Sequence, residues 1–350
     1  MTLTNKLNQL NPITEYRNNP NLNNGLLKAY IQKGIYGYKK ALENPSEYET
    51  EKVSMKLGSA VDCLLTTPAE FDSNYLIVPS NVSIADKPFQ IVSKALDMLD
   101  IINKDKFDFK AVLDSTIIPI AREFGYRGNI KDVEKYKNYL IQDCEAYFNL
   151  KLSAGKRELL NYEEIMKVNI TAAKFKQLNI FTNQNPNIKV YFQKPIYSIY
   201  NNMDVKILLD VFVVDTANKK IILYDIKTLE EPVTSFIHSF RRFLYNVQAV
   251  FYTEVVKSKF KDYTVVPLSF YAASLNDNLP VQKFTLSPEL YNLTLNGSDD
   301  KSIYYYKGIL EAMNNIQKHI ELNEFDLNLD ELRFKEKTST VIDHKMNYVL

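Results

Sequence analysis

The sequence predicts an α/β fold in which a mixed sheet is flanked by helices. In the first half of the chain, apolar residues recur at three- and four-residue spacing, which is typical of helices. From about residue 188 the pattern changes, and three runs rich in Val, Ile, Tyr and Phe follow one another with short polar turns between them. A further helical pattern and another apolar run come after these, so both kinds of element contribute to the second half.

Turn signals divide the first half into six predicted helices. Asn, Pro and Ser clusters mark the loops, at Asn44-Pro45-Ser46, Pro68, Pro79-Ser80-Asn81 and residues 183–187. The predicted helices span about 24–43, 52–66, 89–104, 108–124, 130–151 and 162–181.

The three β-type runs predict an antiparallel meander. Strands are expected near 188–200, 205–215 and 219–228, joined by the short turns 201–204 and 216–219. Downstream we expect a long helix at about 233–257, strands near 263–274 and 281–286, a helix near 300–321 and a polar tail.

Composition excludes several classes of protein. The chain has 350 residues, is 45% hydrophobic and has a formal charge of +1, so it can bury a large core but cannot coat nucleic acid through bulk charge. Two cysteines, Cys63 and Cys144, indicate a reducing compartment and exclude a four-cysteine iron–sulfur cluster. Nine glycines form no phosphate-binding loop, which disfavours ATP binding. Without a long apolar segment, a cytoplasmic protein with no membrane partner is expected.

An acid pair with a nearby lysine is the feature most indicative of chemistry. Asp210 lies on the second predicted strand and Asp225 on the third, and Lys227 follows Asp225 at the spacing that places both side chains on one face. Carboxylates suit Mg²⁺ or Mn²⁺, and the backbone carbonyl of Ile226 is a plausible further ligand. Metal ions in such sites can activate water for phosphodiester hydrolysis. Lys227 would orient or deprotonate that water, or offset charge on the phosphate.

The same residues allow a purely structural interpretation. Asp225 and Lys227 would then be a solvated ion pair on a sheet edge, and Asp210 an acid close to a turn.

The predicted helix 233–257 has two stripes. One is apolar and should pack on the sheet. The other consists of Arg241, Tyr245, Gln248 and Tyr252, whose spacing aligns them on one helical face. Arginine and tyrosine suit phosphate oxygens and unstacked bases, so Arg241 and Tyr245 are candidate DNA contacts. Alternatively, this polar side simply faces water.

Two further cations, Lys206 and Arg242, are also candidate DNA contacts. Lys206 precedes Asp210 by four residues on the same predicted strand, and Arg242 follows Arg241. For both, a solvated surface position without function is the alternative interpretation.

In these motifs the chain resembles the PD-(D/E)xK nuclease superfamily, in particular the RecE-like and lambda-exonuclease-like enzymes of the RecB-type branch. The run Gln248-Ala249-Val250-Phe251-Tyr252 matches the glutamine-x-x-x-tyrosine motif that follows the Asp-x-Lys strand. Tyr16-Arg17-Asn18-Asn19-Pro20, residues 23–27 and residues 55–62 resemble the opening of RecE-type nuclease domains. The resemblance covers roughly residues 15–75 and 185–325.

The resemblance implies one elaborated nuclease domain over residues 1–350, with a restriction-endonuclease-like core. In that scheme, residues 15–75 form the N-terminal helical part of the core and 80–185 a helical insertion. The catalytic sheet and its helices occupy 186–325, and 326–350 form a tail.

The resemblance also implies functional residues. Catalytic roles fall to Asp210, Asp225, Lys227, Gln248 and Tyr252, and metal binding to Asp62, Asp210, Asp225 and the carbonyl of Ile226. Two positions depart from the family pattern. Asp62 stands where the family has a histidine, and Gln193 stands on the first strand where a glutamate is expected.

The implied function is a Mg²⁺- or Mn²⁺-dependent DNA exonuclease, acting 5′ to 3′ on double-stranded ends in phage-type recombination or repair. A single-strand annealing protein is the expected partner, and relatives form ring-shaped homo-oligomers. Two alternatives remain open. One is a structure-specific DNA endonuclease, and the other is a catalytically inactive DNA-binding module with the nuclease fold.

Overall fold

The computed structural model describes residues 13–44, 53–79, 82, 86–99, 108–298 and 307–328. Parts of six predicted elements lie outside these residues: the loops at Pro45-Ser46 and Ser80-Asn81, the start of the helix 52–66, the end of the helix 89–104, the start of the helix 300–321 and nearly all of the tail 326–350.

The described elements are mainly helices in the first half of the chain, and the long strands lie in the second half, much as the periodicity predicts. The helices are α1 (Ile13–Asn18), α2 (Asn24–Glu43), α3 (Val53–Thr66), α4 (Phe71–Asn74), α5 (Asp86–Met98), α6 (Phe109–Val112), α7 (Ile118–Glu123), α8 (Val133–Ala154), α9 (Tyr162–Lys176), α10 (Asn179–Thr182), α11 (Phe236–Arg242), α12 (Tyr245–Lys259), α13 (Pro288–Asn296) and α14 (Ile309–Leu322). The strands are β1 (Tyr75–Ile77), β2 (Glu158–Leu160), β3 (Ile188–Tyr200), β4 (Met203–Asp215), β5 (Lys220–Leu229), β6 (Thr264–Ser274) and β7 (Gln282–Phe284).

The chain divides into two compact units. The first comprises Met1–Met55 together with Ala173–Leu350, and the second comprises Lys56–Ala172.

A five-stranded mixed sheet forms the centre of the first unit. Its strand order is β3-β4-β5-β6-β7, with β3, β4 and β5 antiparallel, β6 parallel to β5 and β7 antiparallel to β6. Because parallel neighbours need a crossover connection, α11 and α12 run between β5 and β6. The predicted meander and the predicted α/β class, a mixed sheet flanked by helices, are both confirmed.

The core of this unit lies between the sheet and its helices. Phe212 and Leu223 from the sheet share one buried cluster with Leu27 of α2, Phe251 of α12 and Ile316 of α14. The central helix α12 is buried over most of its length up to Val256, and its buried residues include the polar Asn246, Gln248 and Thr253. The alternative interpretation, in which the polar side of this helix simply faces water, is therefore wrong for α12.

The predicted single helix 233–257 is also wrong. The helix α11 ends at Arg242, and α12 begins at Tyr245 after Leu244, whose φ of 50° lies in the left-handed region. That conformation is costly for a leucine, so surrounding packing must stabilise it. The N–H of Leu244 donates to the carbonyl of Arg241 at 3.3 Å, in place of an α-helical bond.

The helix α13 was not predicted, although its start has a sequence signal. The Ser287 side chain accepts a hydrogen bond from the Leu290 N–H at 3.2 Å, and Pro288 occupies the first helical position. Serine followed by proline is a common way to begin a helix.

The second unit is mainly helical. The helices α5 to α8 enclose a separate core that includes Ile91, Phe109, Leu140 and Phe148. A short parallel pair, β1 with β2, adds a small second sheet that was not predicted. None of the described helices combines the length and the apolar character needed to cross a membrane.

Candidate active site

The strands β4 and β5 separate at Asp210. Within the described sheet, their pairing runs from Asp215–Lys220 to Val211–Tyr224 and ends there, one residue before Asp210 would face Asp225. Beyond that point, the edge of β4 is partly taken by Leu22, which bridges to Val205. Both acids therefore lie where the pairing of the two strands stops.

The pairing on the other side of β4 is interrupted at the same level. The β3–β4 register passes from Phe192–Val211 directly to Lys194–Leu209, and the skipped residue, Gln193, has a φ of 47°. Because the register is the same before and after, the interruption adds no residue and only turns the backbone locally. The sheet is therefore distorted on both sides of Asp210.

Asp210 fills the gap with its own side chain. Its Oδ2 accepts a hydrogen bond from the Ile226 N–H at 3.0 Å, which replaces the missing ladder contact. In a strand, the N–H and C=O of one residue point to the same side. The Ile226 carbonyl is therefore directed towards the side of β5 where Asp210 lies, as the predicted metal site requires.

Asp225 is a buried carboxylate with two partners. The residue is 3% exposed. Its Oδ1 accepts a hydrogen bond from Gln248 Nε2 at 2.6 Å, and its Oδ2 forms an ion pair with Lys227 Nζ at 2.6 Å. Since β5 lies between β4 and β6, the alternative of a solvated pair on a sheet edge does not describe these residues.

The charge of Lys227 is set by competing effects. Burial by itself would lower the pKa of this amine, but the negative charges of Asp225 and Asp210, together with Tyr245, raise the pKa above its ordinary value. With these neighbours the side chain is an ammonium at neutral pH. Neutralising negative charge therefore fits Lys227 better than removing a proton from water.

A second lysine, which the sequence analysis missed, lies in the same place. The ring of Tyr245 has Lys227 Nζ 4.9 Å from its centroid and Lys28 Nζ 5.4 Å from it. Burial, followed by repulsion from Lys227, lowers the pKa of Lys28 to about 7, against the opposing effect of Asp225. The available signal was a lysine between buried apolar neighbours in the first turns of α2.

The predicted DNA contact Lys206 is buried, and this corrects the prediction. It is 3% exposed, and its Nζ donates to the backbone carbonyls of Tyr16, at 2.6 Å, and Asn19. Burial lowers the pKa of its amine. Lys206 thus anchors the N-terminal segment that leads into α2, where Lys28 lies one turn from the Asn23 cap.

Gln248 and Tyr252 lie one helical turn apart on α12 and face the acids. Burial raises the pKa of Tyr252 well above its ordinary value, the charges of Tyr16, Asp225 and Asp210 add to this, and a backbone hydrogen bond with Leu208 partly opposes it. Its hydroxyl is therefore neutral.

Arg241 lies on α11 and Asp62 on α3, which are elements other than the strands and the helix α12 that hold the acids and Gln248. Arg241 is exposed on α11, and the left-handed Leu244 separates it from the helix that holds Tyr245, Gln248 and Tyr252. The predicted four-residue stripe is therefore broken after its first member. Asp62 lies on α3 in the second unit, so its role as a metal ligand stays a prediction.

The donor set fits a hard divalent cation. Among the described residues, no cluster of three or more His, Cys, Asp or Glu side chains could hold a metal. Asp210, Asp225 and the Ile226 carbonyl instead supply oxygen donors, and the buried Oδ2 of Asp225 has its charge offset by Lys227. Mg²⁺ is commonly held by one or two carboxylates, with waters and substrate phosphates completing its shell.

Comparisons with known proteins add little to this geometry. No protein-family model and no curated protein matches the sequence. Among solved structures, the crystal structure of a "Putative exonuclease" from Eubacterium rectale matches with a TM-score of 0.44 and 11% identity, over 98% of this chain and 97% of that chain. At this level, the likeness establishes neither the family nor the activity of the chain.

Proposed function

We propose that the chain is a Mg²⁺- or Mn²⁺-dependent deoxyribonuclease. The observation that supports this most directly is the opening between β4 and β5. There, Asp210 and Asp225 lie beside a lysine ammonium, and a glutamine donates to one of the carboxylates. A hard cation, a negatively charged substrate and a water molecule are the species that such a group of side chains suits.

In the proposed mechanism, Asp210, Asp225 and the Ile226 carbonyl hold the cation. When bound, the cation would lower the pKa of a water molecule and polarise the phosphate. Lys227 then lies beside the same phosphate and offsets the negative charge that develops in the transition state. Gln248 holds Asp225 in one orientation through its 2.6 Å hydrogen bond, a role that partners of metal ligands commonly have.

A narrower assignment rests on the resemblance to RecE-like and lambda-exonuclease-like enzymes. We propose an exonuclease that degrades double-stranded ends from 5′ to 3′ in phage-type recombination, with a single-strand annealing protein as partner and a homo-oligomer as the active form. The order of the N-terminal motifs, the Asp-x-Lys strand and the Gln248–Tyr252 motif supports this assignment.

A Mg²⁺ titration with labelled DNA tests both levels of the proposal. Linear duplex labelled at either the 5′ or the 3′ end is incubated with the protein, in parallel with covalently closed circular DNA. We expect Mg²⁺-dependent release of the 5′-terminal nucleotides and no cutting of the circle. Asp225→Asn should abolish hydrolysis, whereas Asp215→Asn, an acid at the turn end of the same hairpin, should not.

The other outcomes favour the alternatives. Cutting of the circle would identify an endonuclease. The inactive module is favoured by the pairing of Asp225 with Lys227, which already neutralises one carboxylate. Mg²⁺ binding seen by calorimetry, without hydrolysis of any DNA, would establish that function and overturn the nuclease.

A further inference from the structure

A surface on α11 combines exposed aromatic, apolar and cationic side chains. We infer that this α11 surface, made by Ile237, His238, Arg241, Arg242 and Phe243, binds an unpaired DNA strand next to the candidate active site. The inference rests on the proposed function in one respect, because it takes DNA as the ligand. It adds the strand form of that DNA and the residues that hold it.

The apolar part of the surface is exposed to solvent. Phe243 is 46% exposed and Ile237 is 48% exposed, whereas Phe236 and Phe240 on the opposite side of α11 are buried. One exposed phenylalanine is ordinary in any protein. Here, however, the ring has a guanidinium above it, since Arg242 Cζ lies 5.3 Å from the Phe243 centroid.

The surface is continuous with the candidate active site. The ring of Phe243 lies 5.8 Å from the ring of Tyr245, with 31° between their planes. Tyr245 in turn lies beneath the ammonium of Lys227, which pairs with Asp225. The left-handed turn at Leu244 brings the two rings together, because it ends one helix and starts the next between them. A row of rings and cations therefore leads from Asp225 to the surface.

The charge of the surface indicates which class of ligand it binds. The seven residues of α11 include two arginines and no acid. Both arginines are exposed, so they are free to meet phosphates. The nearest acids along the chain, Glu230 and Glu231, precede the turn Val233–Ser235. An apolar protein partner would leave the two guanidinium groups without counter-charges, whereas a nucleic acid strand supplies them.

The exposed ring then favours an unpaired strand over a duplex. A base can stack on Phe243 only if the face of the base is accessible. Inside a duplex, the neighbouring base pairs cover that face. Single-strand binding proteins combine the same two features, rings for the bases and cations for the phosphates. At a DNA end that is being degraded, the strand entering the site and its partner are both locally unpaired.

Binding without catalysis tests this inference. Fluorescence anisotropy with a labelled oligothymidine of about 12 nucleotides, in the presence of EDTA, measures affinity when no hydrolysis can occur. Phe243→Ala should weaken binding by roughly 5- to 30-fold, in line with the loss of one stacked base. Phe243→Tyr should retain affinity. Phe89→Ala removes a ring of similar exposure, 42%, from α5 and should change nothing.

Salt dependence separates stacking from charge. Arg241→Gln with Arg242→Gln should lower the slope of log affinity against log salt by about 0.7 for each phosphate that these arginines neutralise, whereas Phe243→Ala should leave the slope unchanged. Wild-type affinity in Phe243→Ala would overturn the inference even if the protein cleaves DNA. Weaker strand binding in that variant would support it even if no cleavage is found. A loss of affinity for fully paired duplex in Phe243→Ala as large as the loss for the single strand would also overturn it.

Discussion

The two ends of the β4–β5 hairpin use aspartate in opposite ways. At the turn, Asp215 accepts hydrogen bonds from the Asn218 N–H at 3.0 Å and from its side-chain nitrogen at 2.8 Å. At the open end, Asp225 is bound by Gln248 from another helix, and Asp210 by the backbone of the neighbouring strand. The first acid is satisfied within three residues of sequence, whereas the hydrogen bonds to Asp225 and Asp210 come from residues 23 and 16 positions away.

These two environments indicate different roles for the two kinds of carboxylate in the hairpin. Hydrogen bonds from Asn218 lower the pKa of Asp215 in a solvated turn, and this is a local stabilising feature. Burying Asp225 gives no such local gain, because removing a charge from water is costly unless partners compensate. The chain nevertheless supplies Asp225 with partners from β5 and α12, namely Lys227 and Gln248. Such an arrangement is typical of functional sites.

The largest effect is expected from breaking the buried pair. Asp225→Asn should reduce hydrolysis by at least about 100-fold, because a cation ligand is lost. It should also destabilise the fold, by up to about 3 kcal/mol, because the half-buried Lys227 loses its ion-pair partner. Denaturant unfolding and cleavage assays measure the two effects.

The double variant Asp225→Asn/Lys227→Met makes that test sharper. It should regain much of the stability, since the unpaired charge is gone, and stay inactive. A double variant that cleaves DNA would contradict the assignment of these residues, and so would wild-type activity in Asp225→Asn.

Cation binding should stabilise the protein through the open end of the hairpin, at Asp210, and not through the turn at Asp215. At 100 times its dissociation constant, Mg²⁺ should raise the free energy of unfolding by about 2.7 kcal/mol. Asp210→Asn should remove much of this gain, while Asp215→Asn should preserve it. Thermal unfolding with and without Mg²⁺ gives the measurement. Equal stabilisation of both variants would place the cation elsewhere.

The hydrogen bond from Gln248 should have a smaller effect. Gln248→Leu should weaken Mg²⁺ binding or activity by roughly 10- to 100-fold, because Asp225 loses the partner that orients it. Asn246→Leu is a matched control. It removes another buried amide from α12, one that bonds Thr294 at 3.0 Å, and should lower stability without moving the Mg²⁺ dependence. Identical Mg²⁺ titrations for Gln248→Leu and wild type would show that Gln248 contributes packing and does not orient Asp225 for the cation.

The smallest effect is expected at the turn. The pKa of Asp215 lies below its ordinary value, so its charged form is favoured in the folded state. Its contribution to stability is present above the unfolded pKa of about 3.9 and is lost as the pH falls through the lower folded pKa. Asp215→Asn should therefore lower the melting temperature slightly at pH 7 and not at pH 2 to 3, with activity unchanged. A difference that grows in acid would contradict the hydrogen-bond account.

Much of the secondary structure, and part of the candidate site, could be predicted from the order of the residues. Alternation along β5 placed Asp225 and Lys227 on one face, and they form an ion pair. The turns between apolar runs predicted the meander of β3, β4 and β5. Helical spacing placed Gln248 and Tyr252 on one side of a helix, and both do lie near the acids. These features follow from the periods of strands and helices, which are local properties.

The remaining features depend on contacts between distant segments. Leu244 and Gln193 adopt positive φ values that their residue types do not favour, so no local propensity predicts the break before α12 or the interruption beside Asp210. Lys206 resembles any surface lysine until the carbonyls of the N-terminal segment close around it.

Residue order and spacing therefore predicted most of the elements, their order and the faces on which the acids, the lysine and the glutamine lie. Only the tertiary structure decided that β4 and β5 separate at Asp210, that Lys28 joins Lys227 at Tyr245, and that Arg241 lies apart on α11. The physical reason is that periodicity specifies which way a side chain points from its own element. Which residues that side chain contacts depends on how the elements pack against one another.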